Sequence, residues 1–453
     1  MEKIVKKIKY YRIKFRLDSP LAIGSGENDR TDKDLMMDSA GNPYIPASSV
    51  VGVLRECLDG VVKNQDIKKY LGFVDKANGS PEADQGESSV VFYDAFITEG
   101  SPRITVRDSV ALDEFKTARK GAKFDMEVLE PGVIFTTYIE QAFDGDVDEM
   151  DFGAKIAKEF LAGDLAFGGK GTRGYGRISD ASVEKKEFVL TDKKNVEEWL
   201  KFDIYDSNSE WDKSDIVDDE VAKLKSTGKK IVLELKQMGG ISIRKYTTKV
   251  SQTNGEHEPD MEQLTILEVI EEGKKTEIPV IPGTSWAGAI RSRMKEFGVD
   301  TESDNSIFGY VKGEGSNEKA RSKITFGESQ ITGAKPKVLS RNAIDRFTGG
   351  TVEKALFTER TYYGGTTKLV IEWKGKEALP EKERKALAAA LTDLHFGFLA
   401  VGGETSIGRG LFCITRMGEG EDDKIIEENE PEENPCTPVV YDKLCKKIEE
   451  VFK

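Results

Sequence analysis

The segment Phe167-Gly-Gly-Lys-Gly-Thr-Arg-Gly-Tyr-Gly-Arg177 carries residue types suited to holding an anion. Gly168, Gly169, Gly171, Gly174 and Gly176 leave backbone amides uncovered, so a phosphodiester can come close between Lys170, Arg173 and Arg177. A sharp helix-to-strand turn with positive φ would use the same glycines, and that reading stays open. The segment is not a Walker loop, because it follows a predicted helix and lacks the terminal Gly-Lys-Ser/Thr. A second candidate is the acidic loop Asp29-Arg-Thr-Asp32-Lys-Asp34-Leu-Met-Met-Asp38. Its carboxylates suit magnesium, which keeps most of its waters and needs only one or two of them. A plain acidic surface loop is the alternative in a chain with 81 acidic and 67 basic residues. Other chemistries are poorly served. The two histidines, His257 and His395, allow at most one histidine base per half, and Cys57, Cys413, Cys436 and Cys445 have no paired metal-ligand spacing. Zinc chemistry and serine-hydrolase chemistry are therefore disfavoured.

What positions these residues is a repeat. Pro43-Tyr-Ile-Pro-Ala-Ser-Ser-Val-Val-Gly-Val-Leu-Arg55 recurs as Pro279-Val-Ile-Pro-Gly-Thr-Ser-Trp-Ala-Gly-Ala-Ile-Arg291, displaced by 279 − 43 = 236. Leu112-Asp-Glu-Phe115 recurs as Ile344-Asp-Arg-Phe347, displaced by 344 − 112 = 232, and Glu127 matches Glu359 at the same offset. The glycine loop recurs from Val401 to Gly410, with Gly168 and Gly402 displaced by 402 − 168 = 234. Three motifs in one order at nearly one offset mark a tandem duplication.

Each copy reads as α+β. It opens on an alternating strand, Ile13, Phe15, Leu17 or Ile231, Leu233, Leu235. A helix follows, with Ser48 or Thr284 as N-cap candidate and apolar spacing over Val50 to Leu58 or Trp286 to Met294. Strands are expected at Val90–Ile97 and Ile324–Ile331, and a second helix at Ala154–Leu161 or Glu381–Phe398 leads into the glycine loop. That order predicts two ferredoxin-like (RRM-like) split β-α-β domains in tandem, each with a hairpin inserted near Asp113–Pro131 or Asp345–Gly365. The expected boundaries are 1–182 and 229–416 for the domains, 183–228 for a polar linker with one short helix, and 417–453 for an acidic tail.

Net charge is −14, which repels a polyanion. Nine acids against Lys424 between Glu419 and Glu433 give 1 − 9 = −8 of it, so the remainder is only mildly acidic. That run reads as a solvated linker before an amphipathic helix at Tyr441–Phe452, and deletion from Glu419 onward is expected to leave RNA binding intact or slightly tighter. No apolar run approaches the roughly 18 residues of a membrane span, and Met1 to Tyr10 shows no signal-peptide pattern. A soluble, cytoplasmic protein without membrane partners is expected.

Together the ordered motifs Pro43 to Ser49, Ile344 to Gly349 and Phe167 to Arg177 resemble the repeat-associated mystery protein (RAMP) superfamily of CRISPR systems. The resemblance covers nearly all of both halves and is to the backbone subunits of type III effector complexes, with the tandem fusion resembling the type III-D branch. It implies an endoribonuclease subunit that binds a CRISPR guide RNA beside other effector subunits and cuts complementary single-stranded target RNA with magnesium or manganese. Because the ribose 2′-hydroxyl is the attacking group there, DNA is expected to be bound poorly or left uncut. The family's cutting aspartate lies six residues before the aspartate that opens the turn, and 38 − 6 gives Asp32. Asp260 is the corresponding choice in the second copy, with Glu262 beside it. RNA-holding roles are implied for Ser48, Ser49 and Arg55, for Gly168, Gly169, Lys170, Arg173 and Arg177, for Thr284, Ser285 and Arg291, and for Gly402, Gly403 and Arg409. The serine pairs read equally as caps, and the two helix arginines as solvated surface residues. Phe115 and Phe347 sit at one hairpin position, where anchoring a core is favoured over base stacking. The family's lysine after the paired serines is Val51 in one copy and Ala287 in the other, which removes a phosphate contact. A non-catalytic guide-RNA scaffold is the alternative function. A guide-processing nuclease would want a histidine near the start, and the polymerase-like large subunit a Gly-Gly-Asp-Asp motif; neither is present.

Overall fold

The computed structural model describes residues 4–26, 31–59, 62–75, 84–112, 118–145, 149–213, 229–245, 259–271, 274–303, 305–311, 319–353, 355–418 and 437–453. The chain divides into two units. One is Met1–Val106 with Phe124–Gly171 and Tyr175–Gly228, and the other is Lys229–Lys453 with Arg107–Lys123 and Thr172–Gly174.

The first unit runs β1 (Lys7–Leu17), α1 (Ala47–Leu58), β2 (Ala95–Glu99), β3 (Ile134–Phe143), α2 (Phe152–Ala162) and β4 (Ile178–Val189). Its strands lie in the order β4-β1-β3-β2, every pair antiparallel. Alternation along β1 sends Tyr11, Ile13, Phe15 and Leu17 into a core with Leu54 of α1 and Phe160 of α2. Asp151 fixes where α2 begins, accepting from the Ala154 amide at 3.0 Å, and left-handed Gly163 ends the helix. The opposite face of β1 carries Ile8 and Tyr10, which join Phe188 of β4 and are covered by Trp199, Phe202 and Trp211. The stretch expected to be a polar linker therefore starts as half of β4 and continues as an apolar flap. The alternation there was masked by Glu184, Lys185, Lys186 and Glu187 along the strand.

The second unit repeats the plan with β5 (Lys230–Gln237), α3 (Gly283–Glu296), β6 (Ser329–Thr332), β7 (Thr366–Trp373), α4 (Glu381–His395) and β8 (Phe412–Met417). Strand order is β8-β5-β7-β6, again antiparallel, and continues through Lys274–Ile281 to Thr265–Glu271. Ile231, Leu233 and Leu235 pack with Trp286 and Leu391. The tail helix α5 (Thr437–Val451) belongs to this core: Val440, Leu444, Ile448 and Phe452, each four residues from the last, are fully buried. Deletion from Glu419 onward would therefore strip these side chains from the second core along with the acidic run.

Local chemistry displaces other expectations. Each first helix begins two residues earlier than its hydroxyl suggests, with Pro46 and Pro282 at the N-cap and no side-chain cap bond. In the first unit Asp94 instead accepts from the Ala47 amide at 2.7 Å. The expected strands Val90–Ile97 and Ile324–Ile331 are each two pieces, Val90–Phe92 with β2 and Ile324–Phe326 with β6. The inserted hairpins pair Ile104–Leu112 with Ala118–Leu129, and Lys335–Arg341 with Phe357–Tyr363.

Candidate nucleic-acid interface

The two glycine loops are one backbone built twice. The Gly169 amide donates to Ala22 O at 2.7 Å, and the Gly403 amide to Ser242 O at 2.7 Å. The Phe167 amide reaches Gly176 O at 2.9 Å, and the Val401 amide Gly410 O at 3.0 Å. Gly176 and Gly410 each donate at 2.8 Å, to Pro20 O and Gly240 O. A Cβ on Gly176 or Gly410 would sit 1.9 Å from the carbonyl of Phe167 or Val401, and both have positive φ, so glycine is obligatory there. Lys170 and Glu404 occupy one left-handed position in the two loops, at φ 61 and 55.

The side chains on this shared frame differ. In the first loop Gly168, Gly169 and Arg173 are exposed, and the Lys170 ammonium lies 4.2 Å from the Phe124 ring centroid and 2.7 Å from Met126 Sδ. Beneath it Met126, Val128 and Tyr175 form a buried apolar cluster with Ala22 and Phe124. At the offset of 234, Lys170, Arg173 and Arg177 become Glu404, Ile407 and Leu411. Arg409, expected to hold RNA, is turned inward instead: its Nη2 bonds Glu359 Oε2 at 3.0 Å and its Nη1 bonds the Tyr363 hydroxyl. That charge is spent within the fold; of the residues expected to hold RNA here, Gly402 is exposed and Gly403 half-buried, beside exposed Ser406, Ile407 and Gly408.

The aspartate loops repeat as well. Asp32 is exposed and exchanges two hydrogen bonds with Asp125: its amide donates to Asp125 Oδ1 at 2.9 Å, and its Oδ2 accepts from the Asp125 amide at 2.9 Å. Asp260 is clamped likewise by Thr358, donating to Thr358 Oγ1 at 3.1 Å and accepting from the Thr358 amide at 2.7 Å. The offset 358 − 125 = 233 agrees with Leu21 bridging Leu129 and Ile241 pairing Tyr362. Glu127 therefore corresponds to Arg360, and Glu359 to Met126, one residue away from the sequence match. Neighbouring carboxylates have other tasks. Asp34 is buried and accepts from the Thr31 amide and hydroxyl at 2.9 Å, and Asp38 closes its own turn on Ala40 and Asn42, whose amides hold its carboxyl below the usual range. Glu262 pairs with Arg360 at 3.2 Å. Asp125 and Thr358 could not be found by reading along the loops, because they lie 93 and 98 residues away on hairpin strands. Among the described residues no three His, Cys, Asp or Glu side chains gather to cage a metal. Exposed Asp32 with half-buried Asp125 fits an ion that keeps most of its waters, whereas Asp260 has a hydroxyl where the first unit has a second carboxylate.

One strand, Ala118–Leu129, touches both the cradle and the aspartate, since Phe124 against Lys170 precedes Asp125. In the second unit Arg341 lies 5.9 Å from the Phe357 ring centroid, beside Thr358. The helix arginines are not part of this arrangement. Arg55 Nη2 donates to Leu71 O and Gly72 O, closing a helix end, and Arg291 Nη2 donates to Thr301 O at 2.6 Å. Ser48, Ser49, Thr284 and Ser285 stand in the first helical turns. Phe347 is 99% exposed on a turn that Asp345 holds by accepting from the Phe347 and Thr348 amides, which rules out the core-anchor reading. Phe115 lies outside the described residues.

A family model described as the RAMP superfamily matches residues 14–179 and 262–413, most of both units, and the chain belongs to that superfamily. No curated protein sequence matches the chain. No helix among the described residues is long and apolar enough to cross a membrane.

Proposed function

We propose that the protein is a tandem backbone subunit of a type III CRISPR effector complex, holding guide RNA and cutting complementary target RNA in the cytoplasm. Membership of the RAMP superfamily over both units supports the CRISPR assignment, and the strand orders β4-β1-β3-β2 and β8-β5-β7-β6 support a ferredoxin-like core in each. The observation that carries the cutting reading is the aspartate clamp present in both units: an exposed aspartate held at its amide and at one carboxylate oxygen by a hairpin strand. A side chain fixed in this way is prepared to act on a bound strand without reorganising first.

Lys170, Arg173 and the exposed backbone of Gly168 hold phosphates, while Gly169 keeps its amide on Ala22 O and Arg177 lends its charge at the loop's exit. Asp32 with Asp125 would hold magnesium or manganese, which when bound supplies a Lewis acid at the scissile phosphodiester. Asp260 with Thr358 offers a weaker donor set, so slower cutting is expected there.

The test is a complex assembled with guide RNA and given magnesium and complementary RNA. Asp32→Ala should abolish one cleavage position and Asp260→Ala another, with target affinity unchanged in both. All products appearing at normal rate from Asp32→Ala would sink the site assignment. A guide-loaded wild type that cuts nothing would leave a scaffold that only binds RNA.

A further inference from the structure

The hairpin strand Phe357–Tyr363 carries Thr358, which clamps Asp260, and next to it Glu359, which faces the glycine loop. Glu359 is 1% exposed. Its Oε2 accepts from Arg409 Nη2 at 3.0 Å and from Arg341 Nη2 at 2.8 Å, and Arg341 also reaches Glu404 at 3.3 Å. Glu404 and Arg409 belong to the loop, and Arg341, Glu359 and Tyr363 to the hairpin. The two elements are thus tied by a buried ionic network. Glu404 Oε2 and Arg409 Nε meet their partners as ion pairs, with Arg341 Nη1 at 3.3 Å and with each other at 3.9 Å, while Glu359 Oε1 makes no hydrogen bond.

The first unit makes the same junction with no carboxylate or guanidinium in the places of Glu359 and Arg409, and with the Lys170 ammonium against Met126 Sδ. Its counterparts of Gly240, Glu359 and Arg409 are Pro20, Met126 and Tyr175. Met126 and Tyr175 are buried against each other's cluster. Gly240 completes the exchange, since a Cβ there would stand 2.4 Å from Arg409 Nη1. Three positions far apart in sequence have changed together, and the backbone hydrogen bonds around them have not.

We propose that Arg409 is a positioning residue for Asp260: through Glu359 it holds the hairpin strand in the register at which the Thr358 amide meets the Asp260 carboxylate. The first unit achieves this by apolar packing, so the two solutions are interchangeable as pairs and incompatible as single residues. A lone tyrosine at 409 removes one of the two guanidinium partners of a buried carboxylate, and a lone methionine at 359 leaves a buried guanidinium short of its anion. This deepens the reading of Asp260 given above and rests on it only for the cutting measurement.

The experiment compares the full chain, assembled with guide RNA, as wild type, Arg409→Tyr, Glu359→Met and the double variant. Hydrogen exchange at the Thr358 amide should be at least about tenfold faster in each single variant and return to within about threefold of wild type in the double. The rate of the Asp260-dependent cut should follow the same pattern with target affinity unchanged, a separation that general destabilisation would not give. Unchanged exchange in the single variants, or a double variant no better than the worse single, overturns the proposal. If a single variant fails to fold, Gly240→Ala replaces it, since it displaces Arg409 while keeping every charge; wild-type protection of Thr358 in that variant would equally overturn it. A wild type that lacks the second cut defeats the assignment of Asp260, while the exchange measurement still decides the role of Arg409.

Discussion

The two glycine loops have the same hydrogen bonds to within about a tenth of an ångström, yet present opposite surfaces. Around the first stand Asp18, Asp164, Arg173 and Arg177; the same places in the second hold Met238, Phe398, Ile407 and Leu411. Met238, Phe398 and Ile407 are 63%, 72% and 52% exposed. Backbone geometry in such a loop is set by positive-φ glycines and carbonyl contacts that tolerate no Cβ, so it survives duplication unchanged. The surface answers only to what touches it and can diverge freely. The difference teaches that a glycine loop defines a place where phosphate could lie, and that the side chains around it decide whether it does.

The comparison is broken most severely by removing α5. A chain ending before Thr437 loses four fully buried apolar side chains from the second core, each worth about 1.5–3 kcal/mol of burial. Calorimetry should then show the transition of the first unit near its normal temperature and none for the second; two intact transitions would mean that the helix is dispensable. A smaller and symmetrical effect is expected from Gly176→Ala and Gly410→Ala. Each forces a Cβ to within 1.9 Å of a carbonyl, and each should destabilise its own unit by roughly 2 kcal/mol or more. A large loss in only one unit would show that the backbones are less alike than they look.

Next comes the charge difference. Arg173→Ala with Arg177→Ala should weaken guide RNA about tenfold or more and reduce the salt slope by about 1.4, at roughly 0.7 per phosphate on a single strand. Ile407→Ala with Leu411→Ala should leave both unchanged. Equal losses from the two pairs would erase the distinction between the loops. The smallest effect concerns His395 on α4, whose Nδ1 lies 3.1 Å from Ile414 O. Burial lowers its pKa from 6.5. The unfolded chain therefore takes up a proton first as pH falls, and the second unit should lose stability below about pH 6.5, with full stability above it. His395→Gln should flatten that dependence in melting curves taken between pH 5 and 8.

Much of this frame was legible from residues alone. Alternation gave β1 and β5, the repeat offsets gave both glycine loops, and four-residue apolar spacing gave α5. What escaped depended on partners distant in sequence. Nothing local distinguishes Arg409 in its ion pair from Arg173 on the surface, or Arg55 capping a helix end from a solvated arginine. The clamp residues Asp125 and Thr358 appear only once strands are in register. Phe347 misled because an aromatic repeated at one hairpin position suggests a core anchor, whereas the Asp345 turn beneath it is self-sufficient and leaves the ring in solvent. The sequence match of Glu127 to Glu359 was off by one because like residues outweighed register.

The tail helix has a consequence for how the second unit is completed. Helix α5 follows β8 in the chain and docks on α4 much as a ligand would. Its Phe452 carbonyl accepts from the Leu379 amide at 2.8 Å, and Glu449 meets Arg384 at 3.0 Å. Because the helix is joined to the core it completes, its docking is intramolecular, a situation in which effective concentrations are typically about a millimolar. Supplied as a free peptide to the truncated chain, the same helix would have to reach that concentration to close the core equally well.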